Sequence, residues 1–161
     1  MIDLRTDGNI FEVGVQAIVN PINCVGTMGA GLALEFKNRY PQMFRFYKEA
    51  CDKKEIKTGQ IWVWRDRRLE KITLPDGQVI IEPEWIMNFP TKQHWQKPSK
   101  LEWIESGLDD LRNRVTLNGI ESIALPALGC GYGGLPFDQV KNLIYDKLND
   151  LPVYVVLFEP Q

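Results

Sequence analysis

The feature that most constrains this chain is a regular alternation of short apolar runs with longer amphipathic segments. The apolar runs lie at residues 2–5, 17–20, 61–64, 85–89, 122–126 and 153–158. Between them, apolar residues recur at spacings of three and four in segments that begin near Pro41, Leu101 and Pro136. Because parallel strands need a crossover connection, usually a helix, this alternation predicts an α/β fold: a mostly parallel sheet with helices on both faces.

Local signals add detail to this prediction. The turn signature Pro75-Asp76-Gly77 separates two β-prone segments, 71–74 and 78–81, and predicts a hairpin. Ser99 and Glu102 have the S-x-x-E spacing of a capping box, which predicts that Ser99 caps a long amphipathic helix whose apolar residues start at Leu101. In the helix that Pro41 opens, the predicted core-facing stripe consists of Met43, Phe46, Tyr47, Ala50 and Cys51.

Composition limits the class of protein. A length of 161 residues with 44% hydrophobic and 25% charged residues favours one domain over residues 1–161. No apolar run approaches the roughly 20 residues that span a membrane, and a secretory signal pattern is missing, so we predict a cytoplasmic protein without membrane association.

The three cysteines are widely spaced, which fits a reducing compartment, and a single histidine excludes a His-rich metal site. The net charge of −2 gives no global attraction to nucleic acid, so any DNA contact requires a local patch.

Two glycine-rich segments follow predicted strands and precede predicted helices. The first covers residues 20–34, and the second runs from Gly129 to Gly134. Glycine lets an anion approach unpaired backbone N–H groups at a helix N-terminus, where the helix dipole favours negative charge. Because ligands of such sheets bind at the carboxyl ends of the strands, these segments and the loop at 90–100 predict a site for a ligand with two phosphates.

A dinucleotide-binding oxidoreductase is the second interpretation of the glycines. Gly129-x-Gly131-x-x-Gly134 matches the Rossmann fingerprint in spacing and context. That fingerprint normally follows the first strand of its fold, whereas here it follows the penultimate one. A P-loop hydrolase is not indicated, since the chain has no G-x-x-x-x-G-K-[ST] segment.

The arrangement of the motifs resembles the macrodomain family over essentially the whole chain. The matching segments are V-N-x-x-N at residues 19–23, a glycine run after it, and P-x-x-x-x-G-x-[FY]-G-like spacing over residues 126–133. Gly8-Asn9-Ile10 stands where family members read G-D-[IL]. The resemblance implies a three-layer α/β/α macrodomain with a central mixed, mostly parallel sheet, and ADP-ribose as ligand.

Within that family, two strings are similar to a DarG-like branch. They are V-G-T-M-G-A-G-L-A at residues 25–33 and N-F-P-T-K-Q-H-W at residues 88–95. The resemblance implies a DNA ADP-ribosyl glycohydrolase that removes ADP-ribose from thymidine bases of single-stranded DNA. It also implies an antitoxin role, opposing a DarT-type toxin, and no cofactor.

The same resemblance implies which residues meet each part of ADP-ribose. Asn9 and Ile10 would meet the adenine, with Phe158 packed on its ring, although the aspartate common at the position of Asn9 leaves the exact adenine contact open. Asn20 and Asn23 would meet the distal ribose. Loop residues expected beside them are Val25, Gly26, Thr27, Met28, Gly29 and Gly31. The diphosphate and distal ribose are expected on Leu128, Gly129, Cys130, Gly131, Tyr132 and Gly133.

The catalytic candidates are Lys92, His94 and Asn23. Glycosidases usually employ two carboxylates, and none of the three loops offers an evident pair. A lysine near the anomeric carbon can act as an acid towards the departing base, or as a nucleophile if burial lowers its pKa. The resemblance assigns catalysis to Lys92, while His94 either orients the substrate or only holds the loop. We expect Asn23 to align the sugar.

The loop after residue 90 also suggests how DNA is held. Trp95 and Lys97 lie in a stretch with three lysines, one histidine and no acid, which suits stacking of a base and contact with phosphates of single-stranded DNA. The competing interpretation is that Trp95 packs in the core and that the lysines are only solvated. Cys130 is expected to pack beside phosphate and not to act as a nucleophile. Two other functions stay open: ADP-ribose binding without catalysis, and hydrolysis of ADP-ribosylated protein or acetylated ADP-ribose.

Overall fold

The computed structural model describes residues 2–161, which form strands and helices in alternation as predicted. The strands are β1 (Ile2–Arg5), β2 (Ala17–Asn23), β3 (Trp62–Arg65), β4 (Lys71–Thr73), β5 (Val79–Ile81), β6 (Trp85–Lys92), β7 (Ser122–Leu125) and β8 (Tyr154–Phe158). The helices are α1 (Gly31–Arg39), α2 (Pro41–Asp52), α3 (Leu101–Leu117) and α4 (Phe137–Leu148), with a short 3₁₀ helix at Ile10–Glu12.

Six strands form one sheet in the order β1-β8-β7-β2-β6-β3. Every neighbouring pair is parallel except β3 and β6, which are antiparallel, so the predicted mixed, mostly parallel sheet is confirmed. Strands β4 and β5 pair only with each other, and this confirms the predicted hairpin. No helix within residues 2–161 is both long and apolar enough to cross a membrane.

The two faces of the sheet bury separate cores. Val19 and Met87 pack with residues of α3 and α4, whereas Ile18 and Ile86, one position away, pack with residues of α1 and α2. This alternation follows from the period of two in a strand. Burial of each such side chain contributes about 1.5–3 kcal/mol, so both helix layers are firmly attached to the sheet that presents the strand ends.

Strand β2 is longer than the predicted 17–20 and ends at Asn23. Its pairing with β6 slips by one residue near the end: Ile22 lies opposite Pro90, but Asn23 lies opposite Lys92. Thr91 is therefore an extra residue on β6, and its Oγ1 donates to the carbonyl of Ile22 at 3.5 Å. The slip sets two of the candidate catalytic residues side by side at the edge of the sheet.

Two local predictions are wrong. Helix α3 has Lys100 at its N-cap without a side-chain hydrogen bond, because Ser99 is drawn to the second glycine loop, where its N–H donates to the Gly133 carbonyl at 3.0 Å. Phe46 does not belong to the core stripe: it is 47% exposed, and its ring lies 5.5 Å from that of Trp64. In both cases a tertiary contact overrides a local sequence pattern.

Candidate active site

A single cleft of about 1310 Å³ follows the carboxyl edge of the sheet. It crosses the strand ends in the spatial order β8, β7, β2, β6. Residues that are far apart in the chain are therefore neighbours along its walls. The three loops predicted to carry chemistry, after β2, β6 and β7, all contribute to its walls. The cleft is lined from the end of β8 to the end of β6, so it can accept a ligand that reaches across several strand ends.

The first glycine loop is held together by the side chain of Asn23. Its Oδ1 accepts hydrogen bonds from the N–H groups of Val25 (3.1 Å) and Thr27 (3.3 Å) and from the Tyr47 hydroxyl (2.9 Å). Its Nδ2 donates to the Thr27 carbonyl at 2.8 Å. Burial raises the pKa of Tyr47, so its hydroxyl stays protonated and available as a donor. Asn23 thus orders the loop and also lines the cleft.

The second glycine loop is held by close backbone packing. A Cβ atom on Gly133 would lie 2.3 Å from the Gly129 carbonyl oxygen and 2.5 Å from Ser99 Oγ. Gly129 itself has a φ of +73°, which favours glycine. Within residues 2–161, the N–H groups of Gly131, Tyr132 and Gly133 donate to no acceptor. The loop therefore offers a row of backbone donors to an anion in the cleft.

Lys92 ends β6 and lines the cleft at the end opposite Phe158. Its Nζ donates to the Trp95 carbonyl at 3.4 Å and lies 5.8 Å from the centroid of the Tyr132 ring. Partial burial lowers the pKa of Lys92 because desolvation disfavours the ammonium form. The amine is accordingly easier to deprotonate than that of a fully solvated lysine, which is useful to an acid and to a nucleophile alike.

His94 and Lys97 do not line the cleft, whereas Trp95 does. His94 Nδ1 accepts from the N–H of Gln96 at 3.1 Å, and its ring stacks on that of Trp95 with centroids 5.6 Å apart. These contacts connect His94 to the loop that carries Trp95, and its catalytic role stays a prediction. Trp95 is half exposed, so its placement in the core is wrong.

The opposite end of the cleft is formed by Asn9, Ile10 and Phe158. Phe158 packs beneath Gly8, where a Cβ atom would lie 3.2 Å from the ring. Asn9 Oδ1 accepts from the N–H of Phe11 at 2.9 Å and caps the 3₁₀ helix, so this oxygen already has a partner. The adenine contact of Asn9 stays a prediction, with Nδ2 as its free donor.

Most of the predicted ADP-ribose residues come together in this cleft. Those that line it are Asn9, Ile10, Asn23, Thr27, Gly29, Gly31, Gly129, Cys130, Gly131, Tyr132, Gly133 and Phe158. Five do not line it, and their predicted direct contact is not supported: Asn20, Val25, Gly26, Met28 and Leu128.

Each of these five has a structural reason to lie elsewhere. Asn20 faces the α1–α2 layer, where its Nδ2 donates to Asn88 Oδ1 at 3.0 Å, and Met28 is buried beside it. Gly26 packs against α2, Val25 points outward with 45% exposure, and Leu128 belongs to the α3–α4 core. They support the walls of the cleft from behind or lie outside it.

Several lining residues were missed by sequence reasoning, among them Thr91, Gln96 and two acids, Glu35 and Glu159. Glu35 lies one helical turn after Gly31, and Glu159 directly follows β8. The spacing of four on a helix and the position after a parallel strand were signals available in the sequence. These two acids place carboxylates in the wall of the cleft, whereas the three loops contribute none.

Cys130 lines the cleft, and burial raises the pKa of its thiol to about 11. A thiol with that pKa is protonated at neutral pH and is a poor nucleophile. Within residues 2–161 no three His, Cys, Asp or Glu side chains are grouped so that they would hold a metal ion.

Comparison with curated proteins gives close relatives. The chain is 42% identical over 154 residues to the DNA ADP-ribosyl glycohydrolase of Thermus aquaticus, covering 95% of this chain and 40% of the relative. It is 35% identical over 158 residues to a DNA ADP-ribosyl transferase-DNA ADP-ribosyl glycohydrolase fusion protein of Thermosipho africanus, covering 96% and 41%. The chain thus spans about two fifths of the length of these relatives.

Solved structures agree with this result. The macrodomain of Mycobacterium tuberculosis DarG superposes with a TM-score of 0.90 at 39% identity, covering 100% of this chain and 99% of that one. DarTG of Thermosipho africanus, solved in complex with ADP-ribose, gives a TM-score of 0.82 at 33% identity, covering 98% and 42%. The Macro domain family model matches residues 19–144. The Rossmann interpretation is therefore wrong, and the chain belongs to the macrodomain family.

Proposed function

We propose that this macrodomain hydrolyses the bond between ADP-ribose and thymidine bases of single-stranded DNA. The observation that carries the proposal is the position of Lys92, at one end of an ADP-ribose-sized cleft and in register with Asn23. Curated relatives of 35–42% identity that contain the matching region are named for DNA ADP-ribosyl glycohydrolase activity. DarTG, a structural relative, binds ADP-ribose.

The order of the strand ends suggests how ADP-ribose lies. Adenine occupies the end near Phe158 and Ile10, and the diphosphate accepts hydrogen bonds from the backbone at Gly131–133. The distal ribose then reaches the space between the Asn23 loop and Lys92. Asn23 keeps one Nδ2 hydrogen beyond its bond to Thr27, and this donor is available to a ribose hydroxyl.

Hydrolysis breaks the bond between the anomeric carbon and the base, which leaves with the electron pair. As an acid, Lys92 gives a proton to the departing base, while water adds its hydroxyl to the anomeric carbon and returns a proton to the amine. As a nucleophile, the neutral amine forms a bond to the anomeric carbon as the base leaves; water later adds its hydroxyl to that carbon and releases the neutral amine, and the remaining proton goes to the departed base. The lowered pKa of Lys92 supports either course.

The DNA strand leaves the cleft on the side of Trp95. Lys97 and Lys100 are exposed in the same loop and provide positive charge for its phosphates. The Thermosipho fusion protein joins the transferase and the glycohydrolase in one chain, and this supports a role in reversing a DarT-type toxin. We place the protein in the cytoplasm, in the repair of ADP-ribosylated DNA.

The test is release of ADP-ribose from a single-stranded oligonucleotide carrying an ADP-ribosylated thymidine. Lys92→Ala is expected to lower the rate about 10²–10⁴-fold, the usual contribution of an acid–base group, while calorimetry shows nearly unchanged ADP-ribose binding. Lys71→Ala, an exposed lysine on the β4–β5 hairpin away from the cleft, is the matched control.

Two results would overturn the proposal. Wild-type protein that binds ADP-ribose but leaves the oligonucleotide intact would be a binding module. Release of ADP-ribose from modified protein or from acetylated ADP-ribose, with none from DNA, would assign the site to another substrate class.

A further inference from the structure

Two exposed aromatic side chains meet at the reactive end of the cleft. Of the exposed large hydrophobic residues within positions 2–161, Trp95 and Tyr132 are the two that line it, with exposures of 51% and 84%. Large apolar faces left open inside a site mark a surface that binds something.

Both aromatic residues lie at Lys92, although they come from different loops. Lys92 Nζ contacts the Trp95 carbonyl at 3.4 Å and lies 5.8 Å from the Tyr132 ring centroid. When the amine acts as the acid, the leaving group must lie next to it, because the amine donates its proton to that group. The Tyr132 ring and the backbone of Trp95 therefore lie near the leaving group, at the end of the cleft opposite Phe158, the predicted place of the adenine.

The two rings have few neighbouring side chains, unlike the ring of a core residue. The ring of Trp95 is backed by the ring of His94, at 5.6 Å and an interplanar angle of 24°, which fixes its orientation. Tyr132 stands between Gly131 and Gly133, and a Cβ on Gly131 would meet nothing within 4 Å. Both rings are exposed in the cleft and present faces to which a planar group can bind.

We propose that Trp95 and Tyr132 bind the nucleobase that is released from ADP-ribose, and thereby make the site selective for base-linked over carboxylate-linked ADP-ribose. This inference rests on the proposed function. A base has an aromatic face on which side chains stack, whereas an ADP-ribosylated aspartate or glutamate side chain has none. The two rings thus recognise the leaving group, and Lys92 acts on it.

The competing role for Tyr132 is a contact with the distal ribose. The two roles differ in what they do to free ADP-ribose, which contains the ribose but lacks the base. A ribose contact contributes equally to ADP-ribose and to ADP-ribosylated thymidine. A base contact contributes only to the latter, so the ratio of the two affinities separates the roles.

The experiment measures this ratio in the Lys92→Ala background, where the substrate is not consumed. Calorimetry compares free ADP-ribose with an ADP-ribosylated thymidine oligonucleotide. Trp95→Ala and Tyr132→Ala are each expected to weaken oligonucleotide binding about tenfold, with ADP-ribose affinity changed less than about twofold. Trp95→Phe and Tyr132→Phe keep a ring and are expected to restore most of the loss. Leu117→Ala, at the exposed end of α3, is the control.

Parallel losses of both affinities in Tyr132→Ala would overturn the inference for that residue in favour of a ribose contact. No loss in either alanine variant would overturn it altogether. Because binding is measured without turnover, the inference fails or holds separately from the proposed function, whose failure appears as absent hydrolysis by the wild type. When Lys92 is retained, Trp95→Ala and Tyr132→Ala are expected to lower kcat/KM for base-linked substrate but not for ADP-ribosylated glutamate peptide.

Discussion

The two glycine-rich loops, residues 23–31 and 129–134, face the same cleft but are held by different means. In the first loop a side chain, that of Asn23, supplies the hydrogen bonds, and a Cβ on Gly31 would meet nothing within 4 Å. In the second loop the backbone itself is packed, with no space at Gly133. A run of glycines therefore does not reveal which residue is indispensable, since one loop depends on an amide and the other on the absence of a side chain.

The largest effect on ADP-ribose binding is expected from Gly133→Ala compared with Gly131→Ala. Neither glycine has a positive φ, so space is the main difference between them. The Cβ at 133 forces the loop away from Ser99 and Gly129, and overpacking of about 1–3 kcal/mol corresponds to roughly thirtyfold weaker ADP-ribose binding. Gly131→Ala, in open space, should change the affinity less than about threefold. Calorimetric titration with ADP-ribose measures both, and equal losses would contradict the distinction.

Asn23→Ala tests the side-chain-held loop. It removes an acceptor for three donors, including the buried hydroxyl of Tyr47, and should destabilise the protein by about 2–3 kcal/mol. Thermal unfolding measures the loss, and Tyr47→Phe should cost about 1 kcal/mol because it removes the hydroxyl that donates to Asn23 Oδ1 and to the Asn23 carbonyl. Asn142→Ala, exposed on α4, is the matched control. A wild-type melting temperature for Asn23→Ala would show that the loop does not need the amide.

The smallest effect is expected at Cys130, which lines the backbone-packed loop. Its pKa of about 11 lies above the usual thiol value, so the reactive thiolate is scarce at pH 7 and increases about tenfold per pH unit until pH 11 is approached. Mass spectrometry of iodoacetamide-treated protein should follow this rise. Cys130→Ala should keep turnover within about threefold of wild type. Rapid labelling of Cys130 at pH 7 would contradict the assignment.

The sequence predicted the sheet and the location of the cleft for a simple reason. Strand periodicity and helical periodicity are local properties, and the rule that ligands bind at the carboxyl ends of parallel strands turns them into a site. The loops after β2, β6 and β7 were identified in this way. The contacts of individual side chains were harder to predict from sequence, as Asn20 shows. It has the residue type of a ribose contact but, three residues before Asn23, faces a helix layer where its amide pairs with Asn88.

Ser99 shows a second limit of sequence reasoning. Its spacing to Glu102 predicts a helix cap, and nothing local predicts the competing hydrogen bond to Gly133, more than 30 residues away. The hydroxyl of Ser99 is buried without a partner within residues 2–161, so the helix loses its cap while the second loop gains its support. Contacts between distant segments decide such conflicts, and local propensities carry no information about them.

The one-residue slip between β2 and β6 limits which sequence changes this site can accept. Side chains at 23 and 92 are brought side by side by the length of a strand, with Thr91 as the extra residue. Substitutions at either position leave that alignment intact, but deletion of a single residue from the end of β6 would turn the following side chain to the other face of the sheet. Natural variation should therefore exchange residues around Lys92 more readily than it inserts or removes them.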